Sequence, residues 1–337
     1  MKQNGSPSAI CENDEQNTFF DHLAFVSLVV FLCSLCLFLS SNTTKIKDQS
    51  QKYFSRFSRK QLIFTIFLEN LLQLNLSDFI KERLSFESYA FNWDELLIAK
   101  ADKSQTSIQS QLSYAIQKGD IIPLRHHFYL IIPPRYSKFG KLPIELYVNS
   151  LFEFLDRNYY IGLYSAARSY GAGHQQIQKE YVFHDKAPLL SISKNSINLD
   201  FFTVSNWPTK NIVSKKGDAG MYNISSPCLT AVDLIYHQTK IGGLNRMLSV
   251  LEELTEEMKM EDAKDLLSWY SQKSVLQRLG FLLDEINPES DIANLIYEHL
   301  KHKKFYPVLL SPRSNEKAGA VENRWKIDVN IKMESDL

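Results

Sequence analysis

The chain has 337 residues and a mass of 39.0 kDa; 44% of its residues are hydrophobic, and Lys+Arg equals Asp+Glu at 38 each. That length and apolar content support a full buried core and two or three domains. Net neutrality excludes attraction of the whole molecule to nucleic acid, so any nucleic-acid surface has to be local. The cysteines are Cys11, Cys33, Cys36 and Cys228. Cys33 and Cys36 form a C-x-x-C with neither a second pair nor a nearby His to complete a zinc site. No metal, no cofactor and no disulfide framework is expected, which suits a reducing compartment.

Residues 1–60 read as an extension. Leu23 to Ser40 is uncharged and apolar, at the short end of the roughly 17 to 25 residues of a bilayer-spanning helix. Glu12, Asp14, Glu15 and Asp21 precede it, and Lys45, Lys47, Lys52, Arg56, Arg59 and Lys60 follow. The positive-inside bias would keep everything C-terminal to it cytoplasmic. A cleaved signal peptide would need a positive n-region and a small-residue cleavage site, and neither is evident. The plainer alternative is that translation starts further in and the working protein lacks this segment. The following "SSNTTKIKDQSQKYFSRFSRKQ" reads as a polar, basic linker.

Residues 61–138 carry the most informative pattern. In "FNWDELLIAKAD" Asn92 can cap a short helix with an apolar face of Trp93, Leu96 and Leu97. Asp102 then occupies a tight turn, and Ser104 caps a second helix. There Ile108, Leu112, Ala115 and Ile116 form one buried stripe, while Lys103, Thr106, Ser110 and Gln117 fall opposite, with Gln109 at the margin. A solvated face would carry more Glu and Lys, whereas Ser, Thr and Gln suit the donor and acceptor edges of bases in a major groove. Gly119 ends the helix, and "DIIPLRHHFYLII" follows as two strands around a tip of Arg125, His126 and His127. Two helices across a tight turn, then a hairpin with a basic loop, predict a winged helix-turn-helix. The expected DNA-binding residues are Lys103, Ser104, Gln105, Thr106, Gln109, Ser110, Arg125, His126 and His127. The bland competitor is a packing module whose polar helix merely faces water.

In residues 139–337, "PIELYVNSLFEFLDRNYYIGLYSAARSYG" shows two helical segments. "KEYVFHD", "PLLSIS" and "SINLDFFTV" read as strands. Ser226 and Pro227 open a run of helices through "TAVDLIYHQ", "LNRMLSVLEELTEE", "DAKDLLSWYSQ", "VLQRLGFLLDEI" and "DIANLIYEHL". "FYPVLL" and "RWKIDVN" look like short strands returning to the sheet. The fold class expected is α+β (mixed α/β): an N-terminal winged helix-turn-helix and a larger, helix-rich α/β C-terminal domain.

Catalytic groups are not evident. His174 in "GAGHQQ" reads as a turn residue before a base, and "GAG" lacks the phosphate-loop pattern. His299 and His302 lie on a basic helix end without zincin spacing. Glu180, Asp200 and Asp233 fit no nuclease spacing, and Asp233, inside an apolar helix, is expected to be buried and to cap or pair with a basic side chain.

From about Leu76 to Val329 the chain resembles the AbiEi-like antitoxins of type IV toxin-antitoxin (abortive infection) systems. The resemblance is carried by "SYAFNWDELL", "IQKGDIIPLRHHFYLIIPPRY", "NYYIGLYSAARSYGAGHQQIQKEYVF", "SSPCLTAVDLIYHQTKIGGLNRMLSVLEEL", "VLQRLGFLLDEI" and "NRWKIDVN". It implies a winged-helix domain on double-stranded DNA at the operon's own promoter, and a C-terminal domain associated with antitoxicity. The implied functional partner is a nucleotidyltransferase-like toxin, opposed without a stable complex. Inverted repeats, and hence a dimer on DNA, are expected. Two departures stand out: Lys103 lies where relatives usually place an apolar residue, and the wing carries two histidines where many have a second arginine and a glycine. Such a wing is less charged at neutral pH. The expected location is cytoplasmic and DNA-associated, or anchored to the inner membrane through residues 23–40. Two rival readings are a membrane-tethered one-component regulator without a toxin gene, and an enzyme acting on nucleotides or RNA through the C-terminal domain.

Overall fold

The computed structural model describes residues 75–100, 103–173, 178–312 and 316–333. Every described residue belongs to one compact unit. The apolar segment 23–40, the basic linker, Cys33-x-x-Cys36, Asp102 and His174 therefore lie outside the described residues. Among the described residues no helix is long and apolar enough to cross a membrane.

The described chain opens with α1 (Leu76–Ser85), β1 (Ala90–Asn92), α2 (Trp93–Ala99), α3 (Gln105–Lys118), β2 (Ile121–Arg125) and β3 (Phe128–Ile131). Local chemistry sets the helix starts. Asp78 accepts from the Asn75 N–H at 3.1 Å, and the Asn92 side chain accepts from Glu95 N at 2.9 Å, satisfying amides that a first helical turn leaves orphaned. The strands form an antiparallel sheet of order β1-β3-β2, with Ile121 opposite Ile131 and Arg125 opposite Phe128.

Strand alternation gives the hairpin two covered faces. Ile121 and Ile131 join Phe79, Phe91, Leu96, Ile108, Leu112 and Ala115 under the helices. Ile122, Leu124, Phe128 and Leu130 point the other way, into a core shared with Val148, Leu151, Phe152, Val182 and Leu199 further along the chain. The hairpin is thus a wall between two cores, and the interior of one extends well past residue 138.

After α4, a single turn over Pro134–Ser137, the chain makes a 3₁₀ turn (Ile144–Leu146), α5 (Val148–Phe154), β4 (Tyr159–Ile161) and α6 (Leu163–Ser169). Five further strands follow: β5 (Glu180–His184), β6 (Ile192–Lys194), β7 (Ile197–Thr203), β8 (Ile212–Gly217) and β9 (Gly220–Ser225). They make a mixed six-stranded sheet of order β6-β7-β5-β4-β9-β8. Tyr160 and Phe183, on the face opposite Ile161 and Val182, pack under α7 (Pro227–His237), α8 (Leu244–Glu257), α9 (Met260–Trp269), α10 (Lys273–Ile286) and α11 (Asp291–Lys301). Mixed α+β character is the outcome, with eleven helices among the described residues.

The two helical segments expected between residues 143 and 171 are present as α5 and α6, two strand regions are added and one expectation is corrected. Between those helices Tyr159–Ile161 forms the inner strand β4, paired with β5 on one side and β9 on the other. Residues 212–225 form a β8–β9 hairpin that alternation failed to reveal, because edge strand β8 is largely exposed and carries Lys215 and Lys216. The final strands, β10 (Val308–Leu309) and β11 (Ile327–Asp328), do not return to the main sheet but pair in parallel with each other. The segment bearing them is held to α10 by Trp325 and Arg324, both of which donate to Asp284.

Candidate nucleic-acid interface

Helix α3 is fixed at both ends by its own sequence. Ser104 Oγ accepts from Ser107 N at 3.3 Å. Gly119, at φ +84°, lets its own N–H and that of Asp120 turn back to the carbonyls of Ile116 and Ala115, both at 3.0 Å. Ile108, Leu112 and Ala115 are buried, whereas Gln105, Thr106, Gln109, Ser110, Ser113 and Gln117 are exposed. No described segment covers this polar face.

The exposed side chains are not equivalent. Ser110 Oγ donates to Thr106 O at 2.9 Å, and Thr106 Oγ1 lies 3.1 Å from Ser104 Oγ, so these three hydroxyls are occupied within their own helix. Lys103 Nζ donates to Asn75 Oδ1 at 3.3 Å, and Gln111 Oε1 accepts from Leu76 N at 3.2 Å. Lys103 and Gln111 therefore tie α3 to the start of α1. Gln105 and Gln109 make no side-chain hydrogen bond to any described residue, and their amides present both a donor and an acceptor outward.

Gln105, Gln109 and Ser113 form one wall of an open groove of about 360 Å³, whose other wall is Trp93, His127 and Tyr129. Trp93 and Tyr129 are absent from the predicted set. The signal for Tyr129 was strand alternation, which turns it away from the shared core that buries Phe128 and Leu130. Trp93 is brought in by a contact the sequence does not display: its N–H donates to His127 O at 2.9 Å, tying the start of α2 to the hairpin turn.

The hairpin tip is a two-residue turn of exposed His126 and His127, their rings 3.8 Å apart. His127 has φ +62°, a left-handed conformation in which glycine is unstrained. Arg125 does not join the imidazoles. Its guanidinium turns towards the large sheet, donating through Nη2 to Leu190 O at 3.0 Å and lying 5.4 Å from the centroid of the Phe201 ring. Its Nε is shielded without a partner. Burial, with the Arg157 charge second, pulls its pKa below the usual guanidinium value. The tip thus presents two imidazoles, not three cationic groups.

The carboxylates singled out in the C-terminal region do not converge. Glu180 pairs with Leu199 across β5 and β7, and Asp200 pairs with Tyr181, so Glu180 and Asp200 leave opposite faces of the sheet. Glu180 accepts from Ser165 Oγ at 2.6 Å and from Arg168 at 2.8 and 3.2 Å. Asp200 pairs with Lys179 at 3.1 Å. Asp233 is buried, as expected, but its partner is not basic: Tyr160 Oη donates to it at 3.0 Å. Burial raises the Asp233 carboxyl to about 8, an effect the Tyr160 hydrogen bond only partly offsets. No group of three or more His, Cys, Asp or Glu among the described residues could hold a metal ion.

No curated protein matches the chain. Among solved structures it is similar to the crystal structure of the RV2827C protein from Mycobacterium tuberculosis. The TM-score is 0.54 at 14% sequence identity, over 74% of this chain and 89% of that chain, which is a likeness of fold. Residues 160–285, which run from β4 almost to the end of α10, match the family described as AbiEi antitoxin C-terminal domain. From the central strand of its sheet through the first four of the covering helices, the chain is thus similar to the AbiEi antitoxin C-terminal domain.

Proposed function

We propose that the protein is the DNA-binding antitoxin of a type IV toxin-antitoxin system. It represses its own operon and opposes a nucleotidyltransferase-like toxin without holding it in a stable complex. In this reading residues 61–138 are a winged helix-turn-helix, with α3 as the recognition helix and the β2–β3 hairpin as the wing. The order helix, strand, two helices, hairpin supports it. So does the AbiEi domain that follows.

The observation that carries the reading is the pair Gln105 and Gln109, one helical turn apart, exposed beside the hairpin and without a side-chain hydrogen bond to any described residue. Glutamine pairs bidentately with adenine in the major groove. Redirecting either side chain breaks no hydrogen bond to a described residue, leaving its rotamer freedom as what is lost. His126 and His127 lie within reach of the backbone or minor groove, and Thr106 and Ser110 complete the helix face.

Gln109→Ala is expected to lower discrimination against a changed base pair by about 1 to 3 kcal/mol, with an unchanged melting temperature because the residue is exposed. Competition gel shifts with singly substituted promoter duplexes measure the first quantity. The reading as a whole is tested by gel shift on the DNA upstream of the protein's own gene. Retarded promoter DNA that resists competition by a scrambled duplex is expected, and equal competition by the scrambled duplex would refute sequence reading by α3.

A further inference from the structure

The sequence places Arg125 at the wing tip as a phosphate contact; the structure gives it another task. Arg125 is the last residue of β2, immediately before the exposed turn. Its guanidinium reaches back to a loop and a strand that lie 65 and 76 positions further along: Leu190 O accepts from Nη2, and the Phe201 ring lies beneath the planar group. Leu190 and Phe201 both fall within the segment that matches the AbiEi domain. A second arginine braces the same loop, because Arg157 Nη1 donates to Ala187 O. Beneath these contacts the apolar face of the hairpin is committed to the shared core, with the Phe128 and Phe154 rings 5.2 Å apart.

We infer that Arg125 is a positioning residue: by its cation–π contact with Phe201 and its bond to the Leu190 carbonyl, it makes the AbiEi domain set the angle at which the wing meets duplex DNA. The inference rests on the DNA-binding reading for its functional consequence, though not for its structural content. The wing is then no independent finger. The C-terminal domain shapes the operator interface without touching DNA, and a change on its sheet reaches the wing through Arg125 as well as through the shared core. Guanidinium chemistry suits this role, since a planar cation can stack and donate in its own plane at once, which an ammonium cannot.

Four variants of the full chain separate positioning from phosphate contact: Arg125→Ala, Arg125→Lys, Phe201→Leu and, as a control, Phe202→Leu. Phe202 lies on the same strand but packs on the other face, against Tyr181, Phe183 and His237. Promoter affinity is measured by fluorescence anisotropy across a salt series, and amide hydrogen exchange is followed over residues 121–131. Positioning predicts that Arg125→Ala, Arg125→Lys and Phe201→Leu each weaken promoter binding about tenfold, some 1.4 kcal/mol. The salt slope stays at the wild-type value, and the Arg125→Ala, Phe201→Leu double variant is no weaker than the worse single. Exchange in the hairpin accelerates in all three, and Phe202→Leu leaves it unchanged. A phosphate contact instead predicts a slope lowered by about 0.9 in Arg125→Ala, recovery in Arg125→Lys, and wild-type binding by Phe201→Leu; any of these overturns the inference. If the wild-type protein binds no promoter DNA, the DNA-binding reading fails on its own. The exchange data then decide, with unchanged hairpin exchange in Phe201→Leu overturning the structural claim.

Discussion

Asp233→Asn is expected to flatten the pH dependence of stability and to raise the melting temperature in mild alkali. The Asp233 carboxyl is buried in α7, and its pKa rises from 3.8 to about 8 because burial disfavours the charged form. Between those values the folded protein holds a proton that the unfolded chain has released. Stability must therefore fall as pH rises through that window and level off above it. A difference of this size corresponds to about 6 kcal/mol at most. Tyr160, which donates to Asp233, and Tyr270 nearby are both pushed well above the ordinary phenol range by burial, so neither titrates in the window. His237 is depressed to about 4 by burial, so comparison above pH 6.5 keeps its charging out of the result. Asparagine keeps an acceptor for the Tyr160 hydroxyl and has no charge to bury. Thermal melts of both proteins from pH 6.5 to 9 should diverge, with the variant more stable by several degrees at pH 9. Parallel curves would show that Asp233 is not held protonated.

Gly280→Ala should destabilise the C-terminal helices strongly, against the usual sign for that exchange. At an exposed position inside a helix, alanine is favoured over glycine by about 1 kcal/mol. At position 280 an added methyl would fall within the Trp325 indole, whose six-membered ring lies directly over the glycine. The indole cannot give way: it is 1% exposed, its Nε1 donates to Asp284, and the Tyr297 ring meets it edge-on at 5.6 Å. Overpacking of this kind costs about 1 to 3 kcal/mol and occasionally more. At the upper end of that range, less the propensity gain, a net loss of about 2 kcal/mol is expected, visible as a lower denaturation midpoint with red-shifted tryptophan fluorescence. Adding Trp325→Leu to Gly280→Ala should return part of it. A Gly280→Ala protein as stable as the parent would mean that the segment carrying Trp325 does not close over α10.

The parts of this fold legible in the sequence are those set by local chemistry. Ser104, Gly119 and the Ile108, Leu112, Ala115 stripe define α3 from residues within one helix, and Ser226 with Pro227 opens α7 in the same way. What stayed hidden depends on distant partners. Tyr159–Ile161 has helical-looking neighbours and becomes a strand only because β5 and β9 flank it. Arg125 reads as a wing cation until Leu190 and Phe201 are brought beside it. Asp233 was expected to cap or to pair with a basic side chain and found a phenol, because Tyr160 is carried to it by the central strand. The uncharged face of α3 was legible as a face. Which of its members stay free was not, since Lys103 and Gln111 are drawn off to α1 by contacts with residues 28 and 35 positions earlier.

Two glutamines of α3, Gln105 and Gln109, are the proposed readers of DNA sequence. Anisotropy titrations of the wild-type protein and a Gln105→Ala, Gln109→Ala variant, on promoter and scrambled duplexes at one salt concentration, measure their contribution. The predicted result is strong promoter preference in the wild type and its collapse in the variant, with affinity for the scrambled duplex unchanged. A variant that retains full promoter preference would contradict the assignment of α3 as the helix that reads sequence.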